Sequence, residues 1–136
     1  MLFRSGNLVK AIKLEPGYSF SHYCLGKLYL EQRMYDESIK RFQKAIDLDP
    51  EDVYTLNGLA DVERIQGKYR DAILHYQKSL EVLEIDEHAL YYKAVCHKAL
   101  EEDHLARACL ERILEEGDEE WDEDAEELLK QLKKKK

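Results

Sequence analysis

SFSHYCLGKLYLEQRMYDESIKRFQKAIDLDP, running from Ser19 to Pro50, is followed by VYTLNGLADVERIQGKYRDAILHYQKSLEVLE, Val53 to Glu84, and the two align at an offset of 34 residues. Outward from this pair the same period marks the whole chain. Pro16, Pro50, Glu84 and Asp118 share one register position, and Leu8, Phe42, Tyr76 and Leu110 share a bulky one. Small residues recur at Ala11, Ala45 and Ser79, with Ile113 in the last place, and again at Ser38, Ala72 and Ala106. A fixed period of this length means stacked supersecondary units, each burying its apolar face against the next.

Within one period the apolar residues fall at helical spacing twice, with a polar break between. Phe20, Tyr23, Cys24, Leu28 and Tyr29 predict a helix over about 19–32; Ile39, Phe42, Ile46 and Leu48 predict a second over about 36–48. Pro50 stops that helix. The next unit repeats the pattern over 53–66 and 69–83, broken at Gly67, which lacks a Cβ and suits a left-handed turn better than Arg33 or Glu101 at the equivalent places. A third unit spans 87–100 and 104–115, and a last helix spans 119–133. On that last helix Trp121, Ala125, Leu128, Leu129 and Leu132 form the apolar stripe. Acids crowd its start and lysines its end, complementing the helix dipole. Such a helix covers the open end of a stack.

The first full unit reads His22-x-x-Leu25-Gly26-x-x-Tyr29, then Ser38-x-x-x-Phe42-x-x-Ala45, then Pro50. This resembles the tetratricopeptide repeat signature, with His in place of its usual Trp. The second unit, with Leu56, Leu59, Ala60, Gly67, Tyr69, Ala72, Tyr76 and Ser79, is similar, with Glu63 and Glu84 where the signature has Tyr and Pro. Leu90, Ala94, Ala106 and Leu110 fit in the third, whereas Lys93, His97 and Asp103 depart from it. The expected fold is all-α, a right-handed α-solenoid of antiparallel helix pairs with a C-terminal capping helix. Its expected divisions are a half repeat (1–16), repeats at 19–52 and 53–86, a degenerate repeat at 87–118, and the cap with a basic tail (119–136).

The resemblance implies that first helices line a concave groove. Carried over, the groove residues are Phe20, Tyr23, Lys27, Leu30 and Glu31, then Tyr54, Asn57, Asp61, Arg64 and Ile65, then His88, Tyr91, Val95 and Lys98. Aromatic rings with a few charges and an amide suit an extended or helical peptide, with Asn57 able to bond its backbone. Tyr23, Tyr54 and Tyr91 are equally expected to pack between helices or to meet the ligand. Lys27, Arg64 and Lys98 are candidates to attract acidic side chains. Some members of the family clamp a chaperone's terminal carboxylate with lysines, asparagines and an arginine. The corresponding positions here hold Tyr23, Lys27, Gly58, His88 and Tyr92, so that clamp is not expected.

Met1 to Leu14 matches only a second helix, with Leu2, Phe3, Leu8, Val9 and Ile12 as its apolar face. Either this face continues a longer array or it binds another copy. The expected function is a non-catalytic protein-interaction module holding a peptide or helix, with a scaffold assembling through that N-terminal face as the alternative.

Composition narrows the partner. With 44% hydrophobic and 37% charged residues the 136-residue chain suits one domain, and its net charge of −8 disfavours a nucleic-acid or anionic-membrane surface. The basic Lys133 to Lys136 run reads as a solvated tail. No stretch has the length of a secretory signal's apolar region or of a membrane span, and Cys24, Cys96 and Cys109 form no Cys-x-x-Cys pair. The expected location is cytoplasmic, with reduced thiols. Catalysis, metal binding and cofactors are not expected. There is no Gly-rich phosphate loop or His-x-x-x-His pair, and His22, His75, His88, His97 and His104 fall on different repeat positions.

Overall fold

Helices pair off along the chain in the computed structural model, which describes residues 18–134. The first pair is α1 (Ser19–Glu31) and α2 (Tyr35–Leu48), the second α3 (Val53–Ile65) and α4 (Tyr69–Val82), the third α5 (Glu87–Ala99) and α6 (Asp103–Glu116). A 3-10 turn at Glu119–Trp121 leads into α7 (Asp122–Lys134). The expected N-terminal half repeat, with Leu2, Phe3, Leu8, Val9 and Ile12, lies outside the described residues, as do Lys135 and Lys136.

Local chemistry sets the helix limits. Asp52 caps α3 by accepting from the Tyr54 amide at 3.1 Å and from the Thr55 hydroxyl at 2.9 Å, and Asp86 caps α5 by accepting from the Ala89 amide at 3.3 Å. Between the two helices of each pair the chain turns identically. The amides of Met34, Lys68 and Glu102 bond back to the carbonyls of Tyr29, Glu63 and His97 at 2.8–2.9 Å, a Schellman closure. That closure demands a left-handed residue, and Gly67 (φ 81°) supplies it without strain. Arg33 and Glu101 adopt it too, both at φ 61°, each at a cost of about 1–2 kcal/mol. The departure from glycine at those places leaves the turn intact because both sides of the closure are fixed by packed helices.

The small recurring positions are where helices meet. Ala60, Ala72, Ala94 and Ala106 are completely buried, and the buried Ser38 hydroxyl donates to the Gly26 carbonyl at 2.7 Å. Phe42, fully buried, lies between two glycines: a Cβ added at Gly26 or at Gly58 would stand 2.7 Å from its ring. From Ala60 onward one apolar core runs through Tyr76, Leu90 and Leu110 into Ala125, Leu128 and Leu132 of α7. The cap therefore closes the C-terminal end of the stack. The expected stripe begins differently: Trp121 sits in the 3-10 turn ahead of the helix, where it reaches the first-helix side of the third pair.

Candidate functional site

First helices touch one another directly, α1 against α3 and α3 against α5, and so form the inner layer of the stack. Between them opens a cleft of about 270 Å³ whose lining includes Tyr23, Lys27, Tyr54, Asn57, Asp61 and His88. Six of the groove residues expected from sequence are thus brought together. Val53, Gly58, Leu83 and Asp86 complete the wall.

Rings dominate the N-terminal half. Tyr54 is 70% exposed and Phe20 55%, so neither is a core residue. Tyr23 is half-buried; its ring centroid lies 6.1 Å from Phe20 and 6.0 Å from Phe42, continuing the core outward to the groove. Large rings left in water on a concave surface are the kind of contact area that partner proteins use.

The cleft floor is polar and internally bonded. Asn57, mostly buried, donates from Nδ2 to Asp86 Oδ2 at 2.8 Å, and the Ser79 hydroxyl donates to the same oxygen at 2.9 Å. The Nδ2 end of the Asn57 amide expected to bond a peptide backbone is therefore engaged across the second and third repeats, while its buried Oδ1 has no hydrogen-bond partner among the described residues. Asp61 accepts from the Tyr76 hydroxyl, meets His88 Nε2 at 3.1 Å through both oxygens, and pairs with Arg64 Nη2 at 3.5 Å. Burial works against ionising Asp61, but the His88 and Tyr76 hydrogen bonds and the Arg64 charge outweigh it and hold its pKa below the ordinary value. Burial and the Asp61 carboxylate push the Tyr76 phenol far above its usual range, so it stays a donor.

Arg64 is turned inward rather than toward a ligand. Its Nε donates to the Tyr76 hydroxyl at 3.1 Å, and its guanidinium lies 4.2 Å from the Tyr92 ring centroid. Tyr91 is half-buried, 5.1 Å from Tyr92 and 5.6 Å from Trp121 between ring centroids. Lys98 donates to Gln131 of α7 at 2.9 Å. Leu30 and Val95 pack against the core, and Ile65 is exposed.

Sequence reasoning missed Asp86, Ser79, Tyr76 and Trp121 as groove supports. The one local signal was Asp86 just ahead of the third pair, where a helix cap is expected. Among the described residues no three His, Cys, Asp or Glu side chains converge to hold a metal ion, and no helix is long and apolar enough to cross a membrane.

The tetratricopeptide repeat profile matches residues 18–85, and a second profile of the same description matches 88–116. Superkiller complex protein 3 of Homo sapiens is 32% identical over 91 residues, 67% of this chain and 6% of that protein. The chain spans 5–6% of the length of the curated relatives it matches first. Solved structures share the fold, two of them over most of their own length. The translocator chaperone SycD of Yersinia enterocolitica superposes at a TM-score of 0.77 with 22% identity, over 86% of this chain and 92% of that one. The first tetratricopeptide domain of Spaghetti (RPAP3), bound to an HSP90 peptide, gives 0.77 with 21% identity, over 85% and 90%.

Proposed function

This chain belongs to the tetratricopeptide repeat family, and from that premise we propose that it is a non-catalytic protein-interaction module whose concave groove holds a peptide or helix of a partner protein. One observation carries the reading: the inner layer opens as a cleft walled by rings, with Tyr54 70% exposed at its edge. Leaving so large a ring in water forgoes burial worth about 1.5–3 kcal/mol, which a partner recovers on docking. Asp61 and Asp86 on the polar floor are held by bonds from within the protein, so the groove is largely preformed and loses little entropy when filled.

The Spaghetti domain holds an HSP90 peptide. In this chain the positions that such a clamp uses carry Tyr23, Lys27, Gly58, His88 and Tyr92, and His88 already faces Asp61. A chaperone's terminal carboxylate is therefore not the ligand proposed. A net charge of −8 favours a protein over a nucleic acid or an anionic membrane. Cys96 and Cys109, buried as thiols, fit a reducing cytoplasm.

Affinity capture from a cell lysate tests the proposal, comparing wild type with Tyr54→Ala/Phe20→Ala. Both side chains are exposed, so circular dichroism of the variant should match wild type. A protein retained by wild type and lost from the folded variant supports the groove. Equal retention by both refutes it.

A further inference from the structure

We infer that the cleft selects a partner segment carrying a side-chain carboxylate beside a large apolar residue, an inference that rests on the groove reading above. Its basis is a local inversion of charge. The chain as a whole carries −8, yet both carboxylates that line this cleft are engaged from within. Asp86, 7% exposed, accepts from Asn57, Ser79 and the Ala89 amide. Asp61, 9% exposed, is held by Tyr76, His88 and Arg64.

Lys27 differs from both. It is exposed on the cleft wall and takes part in none of the hydrogen bonds or ion pairs found among the described residues. The other cations near the groove are committed, Arg64 to Tyr76, Asp61 and Tyr92, and Lys98 to Gln131. The accessible charge of the cleft is thus positive.

Each class of occupant meets this wall differently. A purely apolar segment lying on Tyr23 and Tyr54 would strip water from the Lys27 ammonium and give it no counter-charge. A basic segment would face the Lys27 ammonium inside a cleft whose lining carboxylates, Asp61 and Asp86, are already engaged, the exposed Glu31 lying outside that lining. An acidic side chain completes the site, its carboxylate on Lys27 while a neighbouring apolar side chain covers the rings.

Selection of a phage-displayed random octapeptide library on the full chain tests this, with fluorescence polarisation of the winning peptide against variants. Enrichment of Asp or Glu near Leu, Ile, Phe or Trp is expected. Lys27→Ala should weaken the winner about fivefold, the upper end for an exposed pair, and added salt should weaken wild-type binding toward the same level. Lys27→Glu should weaken it further and shift selection toward Lys or Arg. Winners that need Tyr54 but bind Lys27→Ala within twofold of wild type leave the groove reading standing and overturn this one, as do basic winners. Winners indifferent to Tyr54→Ala overturn both. Recovery of no peptide, with a dimer in sedimentation equilibrium that Tyr54→Ala dissociates, assigns the cleft to a second copy and overturns the linear segment.

Discussion

Gly58→Ala sets two effects of opposite sign against each other. In an exposed helix interior, alanine in place of glycine stabilises by about 0.8–1 kcal/mol. Gly58 lies in the middle of α3, and an added Cβ would stand 2.7 and 2.8 Å from Cε1 and Cζ of Phe42, well inside contact distance. The ring has no room to retreat. Phe42 is fully buried, and on its other side a Cβ at Gly26 would meet the same ring at 2.7 Å. Overpacking of this kind costs about 1–3 kcal/mol, and a rigid ring pinned between two helices places it in the upper half of that range. The net expectation is a loss of about 1–2 kcal/mol, read as a lower urea midpoint by circular dichroism with an unchanged m-value. Phe42→Leu should rescue part of it, so that the double variant is less destabilised than the two single changes sum to, with a coupling of about 1 kcal/mol. A Gly58→Ala protein that is as stable as wild type, or more so, would refute the close approach of α2 to α3 at Phe42.

Three further outcomes are expected. Ala72→Leu, at a fully buried position where α4 meets its partners, should lower stability by about 1–3 kcal/mol in urea unfolding, and a loss near zero would mean the helices do not meet there. Hydrogen bonds from Arg70 and from His97 hold the Glu102 carboxyl at about 2, below its usual 4.5. Its folded pKa is depressed, so its contribution is complete above pH 4.5 and is lost as pH falls toward 2. Glu102→Gln should therefore lower the urea midpoint at pH 7 and less so at pH 3; a difference independent of pH would contradict the pairing. Burial pushes the Cys96 thiol up to about 11, and Cys109 is raised as well. Native protein at pH 8 should react with Ellman's reagent at these two sites only slowly, and urea should release both. Fast native labelling of Cys96 would mean α5 is not packed as described.

Much of the architecture was legible because repetition fixes it. The 34-residue offset, the small positions at Ser38, Ala72 and Ala106 and the bulky ones at Phe42, Tyr76 and Leu110 each return a buried residue in the structure. The turns at Arg33 and Glu101 were harder to read, because their left-handed backbone is imposed by closure between packed helices rather than by the residue itself. In the groove, ring positions were legible and polar ones were not. Tyr54 and Phe20 stand in water on the expected face. Asn57, Asp61 and Arg64 lie on that face too, but their partners are Asp86, Tyr76 and His88, 12 to 29 residues away. Helical periodicity says which way a side chain points and nothing of which distant polar group meets it. Trp121 was read as part of the cap stripe for the same reason, and its contact with Tyr91 arises only from the 3-10 turn that precedes α7.

Photo-cross-linking from either side of the stack tests most directly whether the concave face is the working surface. A p-benzoylphenylalanine replaces Tyr54 in the cleft, or Leu74, which is 62% exposed on the second-helix layer. Irradiation in lysate should join a partner protein to the probe at position 54 and not to the probe at position 74. A partner captured from position 74 alone would contradict the account.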